Sequence, residues 1–145
     1  KCRLDMALKM GADYVVNINE CDAFEKIMEI TGGRKCNTVM QCATTQSAVE
    51  LGQRILDRGG KLLIEGITGQ TVPFCYDDLI EDARTIVGVA GSRDADYKNV
   101  TALAESGELD LSVPITSVLP LEEIITGFER IFDKSTNTVK VVVNP

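Results

Sequence analysis

Doubly wound α/β architecture, a parallel sheet carrying helices on both faces, is the fold class that this 145-residue chain predicts. Three observations point to it. Segments of helical period alternate with short apolar runs along most of the chain, the order that builds parallel sheets. The runs YVV, LLI and IVGV are apolar on consecutive residues rather than on every second one, the mark of strands covered on both sides. Glycines stand at 11, 32–33, 59–60 and 107, where the helical segments must stop.

Each element is justified in turn. Residues 3–10 read as a helix already in progress, with Leu4, Ala7 and Leu8 on one stripe and Gly11 as the stop. DYVVN (13–17) is a short apolar strand. CDAFEKIMEITGG is a helix with Phe24, Ile27, Met28 and Ile30 on or near one face, and NTVMQC (37–42) is the next strand. Thr44 or Thr45 caps the helix TQSAVELGQRILDR by accepting a hydrogen bond from an early free N–H. The stripe of that helix is Ala48, Leu51 and Ile55, and Gly59-Gly60 ends it. KLLIE (61–65) is a strand, and a loop with a short helix around 76–82 leads to the strand TIVGVA (85–90). A helix over about 94–106 turns Val100, Leu103 and Ala104 inward and stops at Gly107. VPITSVL (113–119) is strand-like. PLEEIITGFERIF is an amphipathic helix with Leu121, Ile124, Ile125, Phe128, Ile131 and Phe132 on one side, and VKVVVNP is a closing strand. Pro120 suits the first helical turn, where its missing N–H costs nothing.

Composition narrows the function. With 44% hydrophobic and 26% charged residues the chain is of ordinary globular type, and its size suits one compact domain. No apolar stretch approaches the ~18 residues of a membrane span, and nothing resembles a signal peptide, so a soluble, cytoplasmic protein is expected. The net charge of −7 argues against nucleic acid, whose backbone is gripped mainly by Lys and Arg. The pairs Glu20/Asp22, Asp77/Asp78, Glu81/Asp82 and Glu122/Glu123 read as solvated helix faces and helix starts. The chain contains 0 His, which removes Ser-His and Cys-His catalysis and every zinc site needing an imidazole. Its 5 Cys (Cys2, Cys21, Cys36, Cys42 and Cys75) contain no C-x-x-C pair and read as reduced thiols packed as small hydrophobes.

The segments RLDMALKMGADYVVN, NTVMQCATTQSAVELGQRILDRGGKLLIEG, IVGVAGSR, ESGELDLSVPITSVLPLEEIITGFERI and KVVVNP cover nearly the whole chain. In that order and spacing they resemble the second half of the medium-chain, zinc-type alcohol and polyol dehydrogenases. The resemblance implies a partial Rossmann-type sheet whose first two strands are missing, followed by a strand–helix–strand segment. Residues 1–92 would be the second part of an NAD(P)-binding domain, and 93–145 a segment returning to a catalytic domain. The glycine-rich diphosphate turn, the acidic residue that separates NAD from NADP, and the Cys, His and Glu ligands of the catalytic zinc would all lie upstream of Lys1. The chain is then expected to carry no catalytic and no metal-binding residue of its own.

The resemblance places seven residues at the cofactor. Arg3 falls beside the adenosine ribose, Ala43 follows the strand TVMQC, and Gly66 and Ile67 form the turn that meets the nicotinamide end. Ala90 and Gly91 end TIVGVA at the same crevice, and Lys140 reaches toward the pyrophosphate. All but Arg3 and Lys140 lie at C-terminal strand ends, where open α/β sheets bind ligands. The chain departs from the family pattern at Asn37 and Gln41, where acidic residues are common, and at Thr44, where Gly is common. It also carries Glu65 where an apolar residue is usual, a carboxylate that would repel a dinucleotide.

A sheet lacking its first two strands leaves DYVVN about 14 Å from NTVMQC at ~4.8 Å per step. DYVVN is therefore expected to pair directly with that strand or with another copy of the chain. Ile115, Val118, Val141 and Val143 would lose their family partners, so a homo-oligomer is expected. The implied parent is an NAD(P)-dependent alcohol or polyol dehydrogenase acting on a small-molecule alcohol, with zinc as Lewis acid, and the isolated chain is expected to be inactive. The alternatives are a zinc-free quinone or enone reductase of the same superfamily, and a non-catalytic nucleotide-binding or dimerisation module.

Overall fold

A computed structural model describes residues 2–145, the side chain of Lys134 excepted. Lys1, where the expected first domain begins, lies outside the described residues. The described chain forms two compact units, Val16–Gly91 and a second made of Ser92–Pro145 with the N-terminal segment up to Val15.

The Val16–Gly91 unit is a parallel sheet with helices packed on it. It contains α2 (Ala23–Ile30), β1 (Cys36–Gln41), α3 (Gln46–Ile55), β2 (Leu56–Ile64), α4 (Tyr76–Glu81) and β3 (Thr85–Gly88). The strand order is β1-β2-β3, with β2 in the centre and both pairings parallel. The Asp22 carboxylate caps α2 by accepting the Glu25 N–H at 3.0 Å. That helix ends in Gly32 and Gly33, both at positive φ, as Gly33 N–H closes onto Met28 O at 2.7 Å.

The connection from α3 to β2 differs from the sequence expectation. The helix stops at Ile55, and Leu56 turns to extended backbone and is taken into the core at 1% exposure. Gly59-Gly60 therefore lies inside the strand, where the β1–β2 register jumps from Cys36↔Leu56 to Thr38↔Lys61. Gly60 is pressed against the Asn37 carbonyl, which a Cβ there would meet at 3.1 Å. Nor is the α3 stripe Ala48, Leu51 and Ile55. Val49, Gly52 and Ile55 are the buried residues, because Gly52 lets the helix approach Leu62 on the central strand. Thr45 is the N-cap residue by backbone, yet its side chain makes no capping hydrogen bond.

DYVVN is not a strand. Residues 14–17 have no ladder partner, and the Asn17 carbonyl instead accepts Glu20 and Cys21 N–H in a turn. Direct pairing with the next strand is thus overturned, and β1 pairs only with β2 among the described strands. An extended apolar run is stabilised as a strand only when a neighbour takes its N–H and C=O groups, and none is in register here.

The second unit holds α1 (Cys2–Lys9), α5 (Asp94–Glu105), β4 (Ile115–Pro120), α6 (Ile124–Phe132) and β5 (Lys140–Asn144). Gly11 at φ +100 and Gly107 at φ +79 terminate α1 and α5 as expected. Strands β4 and β5 pair in parallel across the α6 crossover. Two inward assignments fail. Val100 and Leu103 of α5 are exposed, and only Ala104 is half-buried.

On α6 the apolar stripe faces out, with Ile125 at 66% and Phe132 at 79% exposure, and Leu121, Ile124, Phe128 and Ile131 also exposed. This helix meets its sheet through Gly127 instead. A Cβ there would lie 3.2 Å from Val141 Cγ1 and 3.4 Å from Leu119 Cδ1. Pro120 closes β4, and residues 121–123 make one turn of 3₁₀ helix before α6. Ile115, Val141 and Val143 are half-buried, while Val118 is exposed.

All five cysteines are free thiols, as expected. Cys21, Cys42 and Cys75 are exposed, however, rather than packed as small hydrophobes.

Candidate functional site

Parallel pairing brings the three strand ends of the Val16–Gly91 unit to one edge. The Gln41 carbonyl accepts both Glu65 N–H and Gly66 N–H at 3.0 Å, and Val89 N–H donates to the Ile64 carbonyl at 2.8 Å. These bonds continue the ladder past β1 and β2. They hold the turns 41–45, 65–72 and 88–91 side by side. Five of the seven residues assigned to the cofactor, Ala43, Gly66, Ile67, Ala90 and Gly91, stand in these turns. All but the half-buried Gly66 are exposed. Gly91 has φ +68, the left-handed region that favours glycine, so the chain leaves β3 in a tight turn with bare backbone. Ile67, at 84% exposure, offers an apolar surface without a protein partner.

Arg3 and Lys140 belong to the other unit. Arg3 is an exposed residue of α1. Lys140 opens β5 opposite Ile115, its side chain exposed and its carbonyl accepting the Thr116 hydroxyl at 3.1 Å.

Gly66 has a structural reason to be glycine. A Cβ on it would lie 2.8 Å from the Ala43 carbonyl carbon and 2.9 Å from Gln41 Nε2. Gln41 itself is buried at 4% exposure. Its Nε2 donates to the Ala43 carbonyl, while its Oε1 has no partner among the described residues. The amide therefore ties the end of β1 to its own outgoing turn, and Gly66 of the neighbouring turn packs on that tie. Sequence reading noted Gln41 only as a departure from an acidic pattern. A polar residue ending the apolar run TVM was the signal available.

One further pair lies at this edge. Partial burial, and secondly the nearby Glu65 carboxylate, raise the Cys42 thiol above its usual range, so it is neutral at physiological pH.

A separate cleft of about 430 Å³ sits at the opposite edge, lined by Phe24, Lys35, Glu50, Arg54, Asp78 and Arg84 among others. Lys35 and Arg84 directly precede β1 and β3. The Arg54 guanidinium covers the Phe24 ring at 4.6 Å, and Arg84 is paired with Asp82 at 2.6 Å. Arg84 also reaches Asp78 at 3.9 Å.

A parallel α/β sheet presenting small residues and bare turns at its carboxyl edge has the arrangement with which open α/β sheets bind ligands. The chain belongs to the zinc-binding dehydrogenase family, whose profile, "Zinc-binding dehydrogenase", matches residues 1–106. It is 27% identical over 146 residues to an alcohol dehydrogenase of Cupriavidus necator, covering 99% of this chain and 40% of that protein. Against a sorbitol dehydrogenase of Bacillus subtilis it is 33% identical over 148 residues, again 99% and 40%. An alcohol dehydrogenase structure from Thermotoga maritima superposes with a TM-score of 0.81 at 27% identity, over 99% of this chain and 40% of that one. The chain therefore spans about 40% of the length of the relatives it matches.

The groups this family implies can be tested against the residues present. Zinc does not fit. The chain has 0 His, and the described residues contain no cluster of three or more His, Cys, Asp or Glu able to hold a metal. A nicotinamide dinucleotide fits in part. The turns 41–45, 65–72 and 88–91 offer small side chains, bare backbone and the apolar Ile67, but no Lys or Arg that could grip a diphosphate. No helix among the described residues is long and apolar enough to cross a membrane.

Proposed function

We propose that this chain supplies the carboxyl half of the cofactor crevice of an NAD(P)-dependent, zinc-type alcohol or polyol dehydrogenase. The carrying observation is the carboxyl edge of the β1-β2-β3 sheet, where Ala43, Gly66, Ile67, Ala90 and Gly91 come together in a chain of the zinc-binding dehydrogenase family. Residues 1–92 would belong to the cofactor domain and 93–145 to the segment that returns to a catalytic domain. The outward apolar face of α6 supports that reading, since Phe128, Ile131 and Phe132 are left uncovered by the described residues. A homo-oligomer would serve the same need, and would also give residues 14–17 a pairing partner.

When bound, the nicotinamide would supply the hydride chemistry of such an enzyme. This chain would seat and orient the ring against the turns at Gly66-Ile67 and Ala90-Gly91; the resemblance assigns Arg3 to the adenosine ribose and Lys140 to the pyrophosphate. No residue here is assigned a proton transfer or a metal bond.

The test is turnover by the full-length protein on a panel of alcohols and polyols with NAD and NADP. Activity is expected to vanish on chelation and return with zinc, and residues 1–145 alone should show none. Turnover indifferent to chelation would favour the zinc-free reductase branch. Turnover by the 145 residues alone would refute the division of labour.

A further inference from the structure

Of Asp, Glu, Lys and Arg, the turns 41–45, 65–72 and 88–91 hold a single residue, the exposed Glu65. It follows β2 directly, and its backbone N–H is fixed to the Gln41 carbonyl at 3.0 Å, so its Cα is held at the centre of the edge. Cys42, its nearest titratable neighbour, stays a neutral thiol and adds no charge. A lone carboxylate is an odd residue for a site that takes an anionic dinucleotide, unless what matters is a difference between two ligands.

The oxidised and reduced forms of a nicotinamide cofactor share their phosphates, riboses and adenine. They differ by one positive charge, present on the pyridinium ring and absent from the dihydropyridine. Repulsion between Glu65 and the shared phosphates weakens both forms alike and divides out of their ratio. Attraction to the ring charge strengthens only the oxidised form.

We propose that Glu65 is a specificity-determining residue, whose carboxylate makes the crevice prefer the oxidised, cationic nicotinamide over the reduced one. This rests on the reading of the edge as a nicotinamide crevice. For one pair of unit charges screened as in a solvated cleft, the preference is about three- to tenfold. The reduced cofactor, the product of alcohol oxidation, would leave the more readily of the two.

The test uses the full-length protein and four ligands, NAD, NADH, NADP and NADPH, titrated by calorimetry into the wild type, Glu65→Gln and Glu65→Asp. Because Glu65 is exposed and neither substitution alters its N–H bond to the Gln41 carbonyl, both variants are expected to retain the fold. The Kd ratio of reduced to oxidised cofactor is expected to fall about three- to tenfold in Glu65→Gln, to be largely restored in Glu65→Asp, and to shrink with added salt. Equal shifts in both constants, or none, overturn the proposal while leaving the cofactor reading intact. Failure of the wild type to bind any of the four overturns the cofactor reading and this proposal with it.

Discussion

Replacing Gly66 with alanine is expected to lower stability by about 3 kcal/mol, the upper range for forcing extra volume into a filled site. The added methyl has nowhere to go. It would lie 2.8 Å from the Ala43 carbonyl carbon and 2.9 Å from Gln41 Nε2, and the nearer obstacle is backbone rather than a flexible side-chain tip. Relief requires the turn after β1 to move. That breaks either the Gln41 tie to Ala43 or the paired bonds from Glu65 and Gly66 to the Gln41 carbonyl. Both hold the candidate site in shape, so cofactor affinity should fall together with stability. Gly88→Ala is the matched control. A Cβ there meets nothing within 4 Å, so it should stay within about 0.5 kcal/mol of the parent in urea denaturation.

Leu62→Ala should cost about 3–4 kcal/mol, through lost burial plus the cavity left behind. Leu62 is fully buried at 0% exposure on the central strand, flanked in register by Val39 and Ile86 and covered by α3 at Gly52. Gly52 has no side chain with which to refill the space. Only five hydrophobic residues are buried among those described, Val49, Ile55, Leu56, Leu62 and Leu119, and of these only Leu56 and Leu62 are fully so. Losing one of four in the Val16–Gly91 unit is a large fraction of a stability typically between about 5 and 15 kcal/mol. The denaturation midpoint should drop with little change in slope. Leu121→Ala, in the exposed 3₁₀ turn before α6, removes the same atoms at far smaller cost.

Those two positions also show where sequence was informative. The alternation of periods was enough for α2, β1, β3, the second half of β2 and the helical stops at Gly11 and Gly107, because these are local signals of propensity, capping and turn geometry. DYVVN failed because a strand is a pairing, and the pattern of residues 13–17 says nothing of whether a neighbour is present. On α3 the periodicity located a helix but misplaced its buried stripe by one residue. Gly52 contributes no hydrophobic signal, yet it sets how closely the helix approaches Leu62. For α6 the reverse holds. The apolar stripe was legible, but the contact runs through Gly127, and a stripe does not reveal what covers it.

The candidate site divides the same way. Strand ends can be read from a sequence; Ala43, Gly66, Ile67, Ala90 and Gly91, named from the resemblance, stand just past them, and the structure brings these turns to one edge, their role at a cofactor being the proposal. The tie from Gln41 to Ala43, the packing of Gly66 on it and the proximity of Cys42 to Glu65 depend on register between strands, which local pattern leaves open. Arg3 and Lys140 entered by resemblance alone, and their part remains a proposal.

The central claim is that the carboxyl edge of β1-β2-β3 seats the dinucleotide. Hydrogen–deuterium exchange on the full-length protein, with and without saturating NAD or NADP, tests it most directly. Slower exchange is expected at the amides of residues 42–45, 65–68 and 89–91, with the opposite edge around Lys35 and Arg84 unchanged. Unaltered exchange at those three turns while the cofactor is bound, or protection confined to the opposite edge, would contradict the account.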